Sequence, residues 1–332
     1  MLRIVTDSTS GLSREEAARL GVTVVPMGYL VDGVRYLEGF TGENGDYEQV
    51  FRSARVVTTE AVYPSAFADV FRTAVRAGYD VLAITISGRL SGTFRSASAA
   101  ASEVNAEMGT AAATVAMPRV IAFDSWSTAG GLEAVVRAAV ALASDGLSLT
   151  SVVGALTHVR EQQRIYFSVP DLAVLRRSGR LGAMRRSVGT WLDRYPVMGL
   201  FEGGIRDVCV ARGAAGMGRA MVRQAPVGAH DFILTHYGSR SEEARQTFYA
   251  VRRRFPDATV RVKDGGPVLS KNLGLGSVSL TWSSDGPAPG RGRADIMAAS
   301  AGDGSMHDID DDAHACEMRA GQGGNLQWIY LS

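Results

Sequence analysis

The amino-acid sequence predicts an α/β protein: a parallel sheet covered by helices on both faces, followed by a second, α+β domain. Three observations predict this. Apolar β-branched segments alternate with helical patterns, the alternation breaks after about residue 150, and the composition changes near residue 283. Strand–helix alternation favours a parallel sheet with helices on both sides. We therefore expect an N-terminal α/β domain at 1–150, a C-terminal α+β domain at 151–282 and a flexible tail at 283–332.

In the N-terminal domain, strand and helix patterns follow one another in order. The predicted strands are LRIVTDS, GVTVVPMGYLV, YDVLAITIS and VIAFDS. Ser13-x-x-Glu16 is a capping box that predicts the start of the first helix, which ends at Gly21. A second helix is predicted to begin with Ser65 as its cap and to end at Gly78. The segments TFRSASAAASEVNAEM and GLEAVVRAAVALASDG complete the predicted helices.

The C-terminal domain mixes the two patterns in a different order. SVVGALTHVREQQ and DLAVLRR are predicted helices, and PVMGLFEGGIRDVCVA is a predicted hairpin that turns at Glu202-Gly203-Gly204. Three further strands, DFILTHYG, TVRVKD and GSVSLTW, accompany a helix from Ser241 to Phe255. The remainder is rich in glycine and acidic residues, which predicts a flexible tail. Its DIDDDAHACE stretch lacks the spacing of a calcium loop, so no metal site is predicted.

Composition and charge exclude several function classes. The net charge of +1 predicts no general attraction to nucleic acid. Only two of the 35 basic residues are lysines, and no Gly-Lys-Ser/Thr occurs, so a P-loop is excluded. Two distant cysteines form no disulfide framework, which fits a reducing compartment. The start MLRIVTDS lacks the pattern of a signal peptide and no apolar run has membrane-spanning length, so we expect a cytoplasmic protein without stable membrane insertion.

The segment SGRLSGTFRSA at 87–97 is the strongest candidate for a ligand site. Ser91, Gly92 and Thr93 lie where the third predicted strand meets the next helix, whose free N–H groups favour an anion. Two other predicted strands end in an Asp-Ser pair at the same edge of the sheet, where α/β proteins bind ligands. A carboxylate or a phosphate suits this turn. The alternative is that Ser91 or Thr93 only caps the helix and the glycines only make the turn.

A catalytic serine is disfavoured. The chain has no Gly-x-Ser-x-Gly, and Ser91 has glycine at positions −3 and +1 instead. A triad would also need a histidine base, and His236, at the end of a predicted strand, is the best of five candidates. A structural, hydrogen-bonded role is favoured for His236, so no catalytic residue is predicted. A hydrolase or phosphotransferase acting on a small anion at Ser91–Thr93 stays open as the alternative function.

Six segments, in the same order along roughly residues 1–282, resemble one known family. They are IVTDSTSGL, VVPMGYLVDG, ISGRLSGTFRSA, IAFDS, VLRRSGRLG and RDVCVARG, and they are similar to motifs of the DegV family of fatty-acid-binding proteins. The resemblance implies a non-catalytic carrier that holds one long-chain fatty acid between its two domains and uses no cofactor. It also implies a partner, a separate fatty-acid kinase that receives the carboxylate and forms an acyl phosphate.

The resemblance also suggests which residues bind the carboxylate. Ser91 matches the serine of the family's LSGT turn, which Gly92 and Thr93 complete. The family has an upstream threonine in Thr-Ser-Gln-Pro-Ser, from which TTEAVYPS departs. Either Thr59 or Thr58 takes that position if the loop is longer here, and we choose Thr59. Ala61 takes it if Pro64-Ser65 are aligned.

Three further residues match positions of the family. In NLGLG, Asn272 stands where the family has the histidine of a His-x-Gly-Pro-Gly turn. An asparagine can still donate a hydrogen bond but cannot carry a positive charge. Arg180 of SGRLG and Arg212 of VCVARG match arginines near the mouth of the ligand site, where the partner would bind. The alternative is that both arginines form surface or interdomain ion pairs.

Overall fold

The fold is that of a computed structural model, which describes residues 1–109, 119–181, 193–238, 241–284, 316–320 and 326–330. The strands are β1 (Leu2–Asp7), β2 (Thr23–Val25), β3 (Gly28–Val31), β4 (Val34–Leu37), β5 (Val57–Glu60), β6 (Asp80–Thr85), β7 (Val120–Asp124), β8 (Ile165–Ser168), β9 (Arg194–Phe201), β10 (Gly204–Arg212), β11 (Ala229–Tyr237), β12 (Val260–Asp264), β13 (Ser277–Ser284), β14 (Cys316–Ala320) and β15 (Leu326–Tyr330). The α-helices are α1 (Arg14–Leu20), α2 (Tyr47–Ser53), α3 (Pro64–Arg76), α4 (Thr93–Gly109), α5 (Ala129–Ser144), α6 (Leu149–Gln162), α7 (Leu172–Arg177), α8 (Gly213–Val222), α9 (Glu242–Arg254) and α10 (Gly266–Leu273).

A four-stranded parallel sheet, in the order β2-β1-β6-β7, forms the centre of the N-terminal half. Successive side chains of a strand point to opposite faces, and both faces of this sheet are apolar. Val5 and Val81 pack with Phe67 of α3 on one face. Ile4 and Leu82 pack with residues of α5 on the other. The predicted parallel sheet covered on both faces is therefore confirmed.

The C-terminal half contains a six-stranded mixed sheet in the order β10-β9-β8-β13-β11-β12. Only the β11–β12 pair is parallel, and the other pairs are antiparallel. Helices α8 and α9 cover one face of this sheet around Phe232, Leu234 and Trp282. The predicted hairpin turns at Glu202 and Gly203, which both have positive φ, 49° and 77°.

Helix α5 joins the two sheets, because it contacts strands of both. The glycines at its N-terminus allow the approach: a Cβ on Gly130 would lie 2.8 Å from Thr281 Cγ2 and 2.9 Å from Ile233 Cγ2. One cluster of buried side chains consequently runs from Ile4 through Leu132 to Ile165. The boundary predicted at residue 150 falls just inside α6.

A cluster of charged side chains also crosses between the halves. Lys263 of β12 is buried, with its Nζ 2.6 Å from Glu16 Oε2 and 2.7 Å from Glu133 Oε2. Glu16 belongs to α1 and Glu133 to α5, and Arg137 pairs with both carboxylates. These ion pairs tie β12 of the second sheet to two helices of the first half.

Two local predictions were wrong. GVTVVPMGYLV was predicted as one strand, but it is divided into β2, in the parallel sheet, and β3, in a separate antiparallel sheet with β4 and β5. Pro26 stands between them and has no N–H to continue a ladder. Ser65 was predicted as the cap of α3, but the helix begins at Pro64 after Tyr63 and has no side-chain cap. Proline at the first helical position explains that start.

In the segment predicted to be a flexible tail, β14 pairs antiparallel with β15. Strand β13 reaches Ser284 and so extends two residues past the predicted end of the C-terminal domain. Most of the acidic DIDDDAHACE stretch lies outside the described residues.

Candidate functional site

A cavity of about 780 Å³, part of which is open to solvent, lies between the two halves of the chain. The apolar residues of the wall come from both halves: Met27, Ile86, Leu90, Ile165, Phe167, Leu175, Leu200, Ile205, Val268, Leu269 and Leu273. Such a wall suits an elongated apolar ligand.

One side of the cavity is a face of the six-stranded sheet. Ile205 of β10 lies opposite Leu200 of β9, and Phe167 of β8 lies opposite Ser279 of β13. Tyr237 of β11 continues this row, and its hydroxyl lies 3.0 Å from Ser279 Oγ. The lining therefore crosses five strands, from β10 to β11.

Most of the ligand-binding residues predicted from the sequence meet at this cavity. Thr59, Ser91, Gly92, Arg180 and Asn272 all line it. Asn272 Nδ2 donates a hydrogen bond of 3.3 Å to Thr59 Oγ1, and so links α10 to β5. Gly92 faces Ala61, since a Cβ on Gly92 would lie 3.6 Å from that of Ala61. The N- and C-terminal halves thus contribute to one polar region of the wall.

The structure separates the candidate threonines of β5. Thr59, Glu60 and Ala61 line the cavity, and the Glu60 carboxylate is paired with Arg35. Thr58 is exposed and is not among the lining residues. Of the two threonines, Thr59, chosen from the sequence, lies in the wall, and so does the alternative residue Ala61.

The turn at Ser91 is held by Thr93, which is fully buried and does not line the cavity. Ser91 Oγ accepts a 3.3 Å hydrogen bond from Thr93 N and lies 2.9 Å from Thr93 Oγ1. Thr93 Oγ1 in turn accepts a hydrogen bond from Val62 N at 3.3 Å. Ser91 therefore lines the cavity and also accepts from the first N–H of α4, so the binding and capping roles are compatible.

Positive charge is concentrated on one side of the polar region. Arg180 lines the cavity, and its Nε donates to the Leu90 carbonyl at 3.2 Å, next to Ser91. Burial lowers the pKa of Arg180. Burial, together with the charges of Arg180 and Arg177, also lowers the pKa of Lys271 on α10. An anion bound near Arg180 would relieve the repulsion among these cations.

Arg212 lies elsewhere, at the end of β10. Its side chain is 92% exposed and its Nε is 3.8 Å from Asp193 Oδ2. It is not among the cavity residues. The structure therefore places the two arginines predicted for a partner interface differently, one in the wall and one on the surface.

Sequence reasoning missed the polar residues on the second sheet and at α5. Ser279, Tyr237 and Thr128 all line the cavity. A signal for Ser279 was present, because Ser277, Ser279 and Thr281 alternate with apolar residues in GSVSLTW. This alternation indicates that one face of the strand meets something other than an apolar core.

Histidines and metal ligands do not form a second candidate centre in the described ranges. No histidine lines the cavity, and buried His236 directs its Nδ1 to the Gly238 carbonyl at 2.7 Å. No group of three or more metal-binding side chains occurs there either. None of the helices in these ranges has the length and hydrophobicity that a membrane crossing requires.

Comparison with known proteins agrees with this geometry. A family model described as an uncharacterised protein of the DegV family matches residues 1–285. A DegV domain-containing protein of Listeria innocua is 28% identical over 294 residues, which cover 85% of this chain and 98% of that protein. One similar solved structure is described as fatty acid binding of a DegV family protein from Thermus thermophilus. Its sequence is 29% identical to this chain, and the two structures align with a TM-score of 0.71 over 86% of this chain and 99% of that one. A stearic-acid-binding protein from Eubacterium ventriosum, 22% identical with a TM-score of 0.71 over 85% of this chain and 98% of its own, shares the fold. This chain belongs to the DegV family.

Proposed function

We propose that this protein binds one long-chain fatty acid, with the acyl chain in the cavity and the carboxylate at the polar region around Ser91. The observation that carries the proposal is the cavity itself: its wall is mainly apolar, and Thr59, Ser91, Asn272 and Arg180 are grouped within it. The Thermus thermophilus relative, whose structure concerns fatty acid binding, supports the same ligand class.

The energetics favour a ligand with a long apolar tail. Each buried methylene contributes about 0.8 kcal/mol, so about fifteen of them contribute on the order of 12 kcal/mol before the costs of association. A hydrogen bond to a charged group contributes only about 1.5–3 kcal/mol. The tail therefore sets the affinity, and the polar region determines which end of the ligand lies at Ser91.

The polar region offers donors for a carboxylate. When Thr93 donates its hydroxyl hydrogen to Ser91 Oγ, the hydrogen of Ser91 is free to point to the ligand. Asn272 Nδ2 donates both of its hydrogens to protein groups, one of them to Thr59 Oγ1, so the hydroxyl hydrogen of Thr59 can point to the ligand. The guanidinium of Arg180 supplies the charge. Asn272 cannot exchange a proton with the ligand, so in this chain the site binds and orients the carboxylate without acid–base chemistry.

We further propose that the bound acid is presented to a kinase subunit. There, a carboxylate oxygen attacks the terminal phosphorus of ATP, which gives an acyl phosphate and releases ADP. The absence of Gly-Lys-Ser/Thr from the sequence supports placing the nucleotide on the partner. The exposed side chain of Arg212 is available for contact with that partner.

The enzyme alternative has less support. A hydrolase at Ser91 would need a base within hydrogen-bond reach, whereas the hydroxyl partner of Ser91 is Thr93. His236, the best base candidate from the sequence, bonds to Gly238 and is not in the cavity wall. A carrier needs neither a base nor a nucleophile.

Denaturing extraction of the purified recombinant protein, followed by mass spectrometry, tests the proposal. We expect close to one fatty acid per chain, and native mass spectrometry should show the loaded mass before denaturation. Delipidated protein should rebind stearate at the same ratio. Protein that contains no lipid and does not bind stearate, or that contains a small phosphorylated molecule instead, would contradict it.

A further inference from the structure

We infer that the cavity contains a second polar site, formed by Thr128, Ser279 and Tyr237, which binds an oxygen atom on the acyl chain itself. This inference rests on the proposed function and specifies the ligand class: a long-chain fatty acid with a hydroxyl or oxo group along its chain.

Thr128 is the first part of this site. It precedes α5 as the N-cap residue, yet its side chain makes no capping hydrogen bond. The residue is 7% exposed and lines the cavity, and its Oγ1 is buried without a hydrogen-bond partner among the described residues. A threonine hydroxyl can donate one hydrogen bond and accept two, so this group is available to a ligand oxygen.

The second part is a pair of hydroxyls on the sheet opposite. Tyr237 is fully buried and Ser279 is 2% exposed, and their oxygens lie 3.0 Å apart. One of the two hydroxyl hydrogens forms the hydrogen bond between Tyr237 and Ser279. The other hydroxyl hydrogen has no acceptor among the described residues. Burial, the largest influence, raises the pKa of Tyr237, so this phenol keeps its hydrogen. The pair is therefore able to donate to an oxygen in the cavity.

The two parts face the same space. Ser279 and Thr281 are two residues apart on β13 and so point to the same face of the sheet. Thr281 approaches the start of α5, since its Cγ2 would lie 2.8 Å from a Cβ on Gly130, two residues after Thr128. The N-terminus of α5 and this face of β13 thus border one part of the cavity.

A saturated chain does not satisfy these hydroxyls. A buried hydroxyl without a partner is unfavourable, and methylenes can neither donate to it nor accept from it. A hydroxyl on the ligand can do both, and an oxo group can accept from either side chain. The carboxylate has separate partners at Thr59, Ser91 and Arg180, so one ligand can occupy both polar regions.

Titration of delipidated protein with stearate, and with positional series of hydroxystearates and oxostearates, tests the inference. In wild type, we expect at least one positional isomer to bind at least as tightly as stearate. Thr128→Val keeps the shape of the side chain and removes its hydroxyl. It should weaken binding of that isomer about fivefold or more, the effect of one lost hydrogen bond. It should not weaken stearate binding, because a methylene chain makes no hydrogen bond to this hydroxyl.

Two further variants sharpen the result. Ser279→Ala should act in the same direction as Thr128→Val, and Thr58→Val, which changes an exposed threonine, should leave both ligands unaffected. The inference is overturned if stearate binds but no oxygenated isomer is sensitive to Thr128 or Ser279, or if both variants weaken stearate equally. If neither stearate nor any isomer binds to wild type, the proposed function fails together with it.

Discussion

Asn272 Nδ2 lies 3.3 Å from Thr59 Oγ1, and this hydrogen bond is made between α10 of the C-terminal half and β5 of the N-terminal half. The same Nδ2 also donates to the Val268 carbonyl at 2.8 Å, one turn earlier in α10. Asn272 is thereby held at the cavity wall by its own helix while it reaches across to the other half. A carboxylate bound here would contact both halves at once.

Charge at position 272 should decide whether a carboxylate binds. Asn272→Asp preserves the shape of the side chain but places a negative charge beside the ligand. At about 4 Å and an effective dielectric constant of about 20, two like charges repel by about 4 kcal/mol. We expect at least a hundredfold loss of fatty-acid affinity at pH 8, measured by displacement of a fluorescent fatty acid. Asn272→Ala should lose much less, and equal losses in the two variants would contradict a carboxylate at this position.

Removal of the Ser91 hydroxyl should affect orientation more than affinity. Ser91→Ala should weaken fatty-acid binding by about 1–3 kcal/mol, the effect of one hydrogen bond to a charged group. Acyl-phosphate formation with a cognate kinase and ATP should fall further, because phosphoryl transfer depends on alignment. Thr58→Ala changes an exposed hydroxyl and is the control. If Ser91→Ala matches wild type in both assays, the turn is only a helix cap.

Glu38 should make stability depend on pH. Its carboxyl group accepts from Val268 N at 2.9 Å and from Ser8 Oγ. Burial, reinforced by the charges of Asp7 and Asp264, raises the pKa of Glu38 to about 8. The folded state therefore holds a proton that the unfolded state loses near pH 4.5. This contribution to the free energy of unfolding is fully present below that pH and is lost as the pH rises through about 8.

Glu38→Gln mimics the protonated acid and should remove this dependence. Urea unfolding of wild type and variant at several pH values between 5 and 9 is the measurement. As the pH rises, the free energy of unfolding of wild type should fall relative to that of Glu38→Gln. Glu15→Gln, at an exposed carboxyl of α1, should leave the pH dependence of wild type unchanged. A variant that declines with pH as steeply as wild type would exclude Glu38 as the titrating group.

Loss of Lys263 should destabilise the protein strongly. Lys263→Met leaves the buried carboxylates of Glu16 and Glu133 without their shared ammonium group. Removing one partner of a buried ion pair costs about 3–5 kcal/mol. Arg14→Met, which breaks the exposed pair with Glu43, should have far less effect on stability, because water screens that pair. Chemical denaturation compares the two, and equal costs would show that the cluster around Lys263 does not hold the halves together.

Much of the fold could be predicted from the sequence because each half has a clear periodic signal. The capping box at Ser13 and Glu16 is present with both of its hydrogen bonds. The strand ending at Asp7 and the helix after Gly92 lie close to their predicted bounds. The division of GVTVVPMGYLV between two sheets could not be predicted, because a local pattern does not specify which sheet a strand joins. Pro26 was the only local indication of a break.

The candidate site divides in the same way. Ser91 and its turn were identified from local chemistry, and the resemblance added Thr59, Arg180 and Asn272, which the structure brings to the same cavity. Tyr237 was missed because a buried polar residue on a strand gives no local sign of what it faces. The alternation around Ser279 indicated a polar face, but a local pattern does not show what that face meets. The pairing of β8, β11 and β13 places Ser279 and Tyr237 on one sheet, and the structure shows that both line the cavity.

The wall of the cavity comes from both halves of the chain, and this has a consequence for the relative stability of loaded and empty protein. A fatty acid in that space would act as an additional core segment, in contact with both sheets. Any ligand that binds only the folded state stabilises it by RT ln(1 + [L]/Kd). Empty protein would then open more often than loaded protein and be degraded first by proteases that cut unfolded chains. The amount of this protein in the cell would consequently follow the supply of its ligand, without a dedicated sensor.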